Sequence, residues 1–214
     1  MIRRIALILS TIVLAFGILF TSVLKSASIK YSFSQPTNNT QNSAPAVLGE
    51  QKEIEIDYYL PFPGRILPDH FLWPLKALRD KLWLLVTTDA GKKAELKLLF
   101  ADKRIAMSKT LFEIDKPEIA FSTLTKAEKY LQEASSQEEK NREEGMKTDE
   151  FLLKLAKAAL KHRQIMEEIL PIAPEDAKPG VIETKNVPIR VFEDKRDALL
   201  EQGLTPPQNP FNGT

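Results

Sequence analysis

Between Leu75 and Leu170 the chain carries one proline, Pro117, and two glycines, Gly91 and Gly145, although the 214-residue sequence holds 14 Pro and 8 Gly in all. Inside a helix, proline costs about 3 kcal/mol and glycine about 1 kcal/mol relative to alanine, so a window this depleted in both permits long helices. Apolar residues in it recur at spacings of three and four rather than two, which selects helix over strand. The expected fold is all-α: an antiparallel up-and-down bundle of about four helices.

The individual helices can be placed from their punctuation. Pro74 suits a first turn and opens a helix to about Thr87, with Leu75, Leu78, Leu82, Leu85 and Val86 on one face. Asp89 has the chemistry of an N-cap for a second helix reaching about Ile114, striped by Ala94, Leu98, Ala101, Ile105 and Phe112. Asp115-Lys116-Pro117 breaks the pattern, and Pro117 opens a third helix with a seam of Ala120, Leu124, Ala127, Leu131 and Ala134. Residues 135–147 are polar and charged; they read as a solvated helix extension or a loop, with Gly145 the break. Thr148 is placed to cap a fourth helix, Asp149 to Leu170, striped by Leu152, Leu155, Ala159, His162, Met166 and Ile169. Beyond Pro171 the prolines return. Val187 to Phe192 reads as an extended segment across the bundle, and Glu193 to Gln202 as a short helix stopped by Gly203.

The flanks set the domain boundaries. After Arg3 and Arg4, an apolar run extends from Ile5 to Leu24; as a helix, 20 residues would rise about 30 Å, the thickness of a bilayer's hydrocarbon core. Residues 1–24 are therefore expected to be a transmembrane anchor, with the arginines in the cytoplasm and the rest of the chain outside. A signal cleaved near Ser28 is the alternative, disfavoured because such signals have apolar regions of only about 7–15 residues. Residues 25–56 are rich in Ser, Asn, Gln, Thr and Pro and read as a disordered stalk, residues 57–203 as the helical domain, and residues 204–214 as a disordered tail.

Composition excludes more chemistry than it suggests. With no cysteine, disulfides, thiol catalysis and Cys-ligated metals are ruled out. A formal net charge of +1 gives no bulk electrostatic reason to bind nucleic acid. Of the two histidines, His70 precedes the first helix and reads as a surface or capping residue, while His162 projects from an apolar stripe. Neither is preceded by glutamate at the spacing that helical di-metal sites use, so no metal or other cofactor is expected. His162 has no orienting partner at helical spacing, and its expected place is a hydrogen-bonded position within the bundle rather than a catalytic one.

The segment Asp57 to Lys76 is too apolar and aromatic for a linker. Its prolines suit a rigid strap packed against the bundle, while Tyr58, Tyr59, Phe62 and Trp73 are candidates to meet a partner, since aromatics anchor interfaces. His162 is the remaining candidate for such contact. Within this stretch, Leu67-Pro68-Asp69-His70-Phe71-Leu72-Trp73-Pro74-Leu75-Lys76, followed by Asp89-Ala90-Gly91-Lys92-Lys93-Ala94-Glu95-Leu96 and Ala101-Asp102-Lys103-Arg104, resembles the bacterial domain of unknown function 5667. His70-Phe71 replaces the family's usual Ser-Pro, and Asp102-Lys103 alters its Ala-Glu step. The resemblance spans roughly Leu60 to Leu170 and implies an exported, single-anchor helical protein. It implies no catalytic residue.

The functional expectation is a non-catalytic, membrane-anchored domain outside the cytoplasm, binding or scaffolding an envelope partner. Two alternatives stand beside it: a sensory partner of a membrane signalling or anti-sigma system, and an envelope hydrolase built on carboxylates and His162. A packed bundle enclosing His162 would count against the last.

Overall fold

The computed structural model describes residues 32–33 and 56–211. The expected anchor, residues 1–24, and nearly all of the expected stalk lie outside them. Among the described residues no helix is long and apolar enough to cross a membrane. The fold is all-helical: α1 (Trp73–Val86), α2 (Ala90–Glu113), α3 (Pro117–Glu143), α4 (Asp149–Ile169) and α5 (Lys178–Glu201).

Four of these, α2 to α5, make the bundle. The core falls into two apolar clusters, and the order in which each helix visits them gives its direction. Along α2 the chain passes from Leu98 in the first cluster to Ile105 in the second; along α3 it returns from Leu124 to Leu131. Helix α4 runs outward again from Leu155 to Met166, and α5 back from Val181 to Leu199. Consecutive helices are thus antiparallel, as the short connections between them require. The closest pairings are α2 with α3 and α4 with α5; α3 also packs on α5 and α2 on α4, while α3 and α4 touch little. Two hairpins therefore stack side by side, with the α3–α4 turn crossing the diagonal.

The local signals at most helix ends hold. The Asp89 carboxylate accepts from the Lys92 N–H at 2.7 Å, meeting one of the free donors of the first turn of α2. Pro117 stands in the first turn of α3. The tight α2–α3 turn puts Asp115 at φ 57, in the left-handed region that aspartate tolerates better than most residues. Close approach is helped by Ser108, whose hydroxyl donates to the Ala120 carbonyl across the hairpin at 2.8 Å.

Five expectations are corrected. Residues 178–201 form one continuous helix rather than an extended segment and a short helix, with Pro188 inside it. Proline removes one backbone hydrogen bond, but Val181, Val191, Phe192 and Leu199 are buried along α5, and that burial offsets the local cost. The N-terminal end of α5 lies so close to α3 that a Cβ on Gly180 would sit 2.6 Å from the Phe121 ring.

The charged stretch after Ala134 extends α3 to Glu143, yet Ser135, Glu138 and Asn141 are buried because α5 covers that face. Thr148 makes no cap; its hydroxyl donates instead to Glu138 at 2.8 Å. The tail is not free as far as Phe211, which is buried in the first cluster with the Arg163 guanidinium 4.3 Å from its ring centroid. Residues of the expected stalk also dock: Ile56 is buried, and the Phe33 ring meets Phe121 edge-on at 5.5 Å.

Candidate functional site

Each bundle helix carries its apolar stripe inward, and a polar layer interrupts those stripes. Asp102 on α2, Glu128 on α3 and His162 on α4 stand where the two apolar clusters meet, Asp102 and Glu128 directly after Ala101 and Ala127 and His162 three residues after Ala159. His162 is 0% exposed; its Nδ1 lies 2.7 Å from Glu128 Oε1 and its Nε2 3.2 Å from Asp102 Oδ1. Tyr58 of the leading segment donates its hydroxyl to the other Asp102 oxygen at 2.7 Å. Burial pulls the imidazole towards neutrality, but Glu128 and Asp102 together outweigh it and raise the His162 pKa to about 9. An imidazolium donating from both nitrogens matches this geometry. Burial, reinforced by the Asp102 charge and hydrogen bond, pushes the Tyr58 phenol well above its ordinary range.

A second buried pair fixes the far end of the bundle. Lys195 on α5 donates to Glu138 Oε2 at 2.9 Å and to the Ser135 carbonyl at 3.1 Å. Arg142 lies 3.3 Å from the other Glu138 oxygen, which also accepts from Thr148. Glu128 Oε2 and Arg142 Nε are buried without a hydrogen bond, and among the described residues no group of acids and histidines could hold a metal ion.

Helix α1 is built the other way round. The face it turns to the bundle holds Trp73 and Asp80, with the edge of Trp83 against the buried Phe100 ring at 6.2 Å, and the rest of its attachment is cationic and polar. Arg104 of α2 lies 4.0 Å from Asp80, 4.5 Å from the Tyr130 ring centroid and 6.0 Å from that of Trp73. Burial lowers the Arg104 pKa, opposed by the Tyr130 and Asp80 charges. The stripe expected to enter the core points outward: Leu75 is 63% exposed, Leu85 75% and Val86 70%, and only Leu78 is covered. Lys76 staples the leading segment to α1 by donating to the Pro63 and Ile66 carbonyls at 3.2 and 2.9 Å. Between the two lies an open groove of about 630 Å³, lined by Ile66, Leu72, Leu75 and Leu82 and edged by Arg65 and Arg79.

The sequence candidates therefore separate. His162 is sealed in the core and reaches no partner from there. Tyr58 and Trp73 are half-buried and have structural duties, while Tyr59 and Phe62 stand exposed on the leading segment. His70 is exposed, and its Nδ1 accepts from the Leu72 N–H at 3.1 Å just ahead of α1. Sequence reasoning missed Asp102, Glu128, Glu138 and Lys195. The signal for each was a charge one turn from an apolar stripe residue: Leu98, Leu124, Ala134 and Val191, respectively.

The architecture is thus a four-helix bundle with an outward-facing amphipathic helix at its N-terminal side. The family model described as domain of unknown function (DUF5667) matches residues 65–176, more than half of the chain, and the protein belongs to that family. The matched segment contains α1 to α4, while α5, which completes this bundle, lies beyond it. No curated protein and no solved structure matches the chain.

Proposed function

We propose that the protein is a non-catalytic binding domain of the cell envelope, carried outside the cytoplasm by the apolar run Ile5–Leu24, and that it binds through the outward face of α1. The observation that carries this reading is the exposed stripe Leu75, Leu82, Leu85 and Val86, set beside a groove on a domain whose other helical stripes are buried. Leaving that much apolar surface in water has a cost that a surface used for contact recovers on binding. The reading is favoured over a hydrolase because the histidine and carboxylates that could share a proton are sealed from substrate, His162 at 0% and Glu128 at 1% exposure.

The test is made in intact cells with a photoreactive residue in place of Leu85 or, as a control on a remote exposed position, of Glu150. The Leu85 probe is expected to form an adduct with an envelope component, lipid or protein, and the Glu150 probe is not. Absence of adducts at both positions would overturn the proposal, as would full protection of the domain from protease added outside spheroplasts.

A further inference from the structure

We infer that the outward face of α1 and its groove are a docking surface for an anionic phospholipid bilayer, so that α1 lies in the headgroup plane with Leu75, Leu82, Leu85 and Val86 towards the acyl chains. This inference rests on the binding reading above and names its ligand. Its first support is the shape of the helix: an apolar stripe with Trp83 half-exposed at its side and basic residues along its edges is the pattern of interfacial helices.

The second support is charge. Within α1 the only acid is Asp80, which is buried and paired with Arg79 and Arg104, while Arg79 and Lys81 stand exposed. Arg65 is exposed at the groove edge, and Asp69, the one other acid between Arg65 and Val86, is tied to Lys116. The sequence from Arg65 to Phe211 is divided in charge in the same sense. Residues 65–113 hold 10 Lys and Arg against 6 Asp and Glu, net +4, whereas residues 114–211 hold 15 against 19, net −4.

This distribution selects among occupants. A second copy docked face to face would bring Arg65, Arg79 and Lys81 against their own equivalents, and like charges across an interface disfavour association. An anionic leaflet meets the same cations with opposite charge, at roughly 1 kcal/mol for each Lys or Arg near the surface.

The experiment uses the full chain with Trp73→Phe, which leaves Trp83 as the sole tryptophan of the two. It is reconstituted into nanodiscs of phosphatidylcholine with or without phosphatidylglycerol, each prepared in parallel with brominated acyl chains. Trp83 emission is expected to shift to the blue and be quenched by bromine in the anionic discs, and much less in the neutral ones. Lys81→Gln and Arg65→Gln are each expected to move the docked-to-undocked ratio about fivefold towards undocked. Leu85→Ser is expected to reduce quenching with the helical circular dichroism unchanged.

If Trp73→Phe weakens the fold, a spin label at Leu85 in the otherwise native chain reads the same depth by collision with oxygen. Unquenched Trp83 and a solvent-exposed label in anionic discs would overturn the inference, as would quenching indifferent to both lipid charge and Lys81. If the lipid signal is missing while the Leu85 photoprobe captures one envelope protein, the lipid assignment fails and the binding reading stands; if both are missing, both fail.

Discussion

Helices α1 and α4 carry apolar stripes of the same period and end up facing opposite media. In α4, Leu152, Leu155, Ala159, Met166 and Ile169 are each fully buried, whereas in α1 only Leu78 of the comparable leucine stripe is covered. The difference lies in what each helix is offered. Helix α4 packs closely on α5 and also against α2, so its stripe meets two apolar walls. Helix α1 packs on α2, and does so through Asp80 and Trp73, which Arg104 holds, and through the edge of Trp83 against Phe100. Amphipathicity states that a face gains by leaving water; it does not state that the same chain supplies the cover.

The sharpest way to break this contrast is at the polar layer of the bundle. His162→Leu leaves Glu128 and Asp102 buried without their cation, and about 3–5 kcal/mol of stability is expected to be lost, read from the urea midpoint. Next comes the same substitution made in both helices. Leu155→Ala is expected to cost about 2–5 kcal/mol, because the cavity has no way to fill, and Leu85→Ala less than about 0.5 kcal/mol. Equal losses at the two positions would mean that α1 is covered in solution and would undo the comparison.

The third prediction concerns pH. The folded pKa of His162 is raised from 6.5 to about 9, so the stability it contributes is fully present below about pH 6.5 and is lost as pH rises through about 9. The loss is expected to be on the order of 3 kcal/mol, and His162→Leu should abolish that part of the pH profile. Gly180→Ala must displace the Phe121 ring and is expected to cost about 1–3 kcal/mol by thermal melting.

How much was legible varies by level. The α2 cap at Asp89, the break at Asp115, the opening of α3 at Pro117 and the stripes of α2, α3 and α4 all depend on neighbours within a turn or two, and the sequence displays those directly. Helix α5 was misread at Pro188 because a local helix breaker was weighed without the apolar burial that overrides it. The segment around Glu138 was misread for the matching reason: a charged surface in sequence became a buried one when α5 brought Lys195 across to it. The candidate surface was half legible. Its residues were visible as an apolar stripe, but their outward orientation was not.

By itself, then, the sequence determined the helical class, most helix boundaries, the inward stripes of three bundle helices and the family to which the chain belongs, because each of these follows from short-range periodicity and residue chemistry. Tertiary structure decided which charges are buried in pairs, that α5 is continuous, and which way α1 faces. Those outcomes depend on contacts between residues tens of positions apart, such as His162 with Asp102 and Lys195 with Glu138, and no local pattern records the partner.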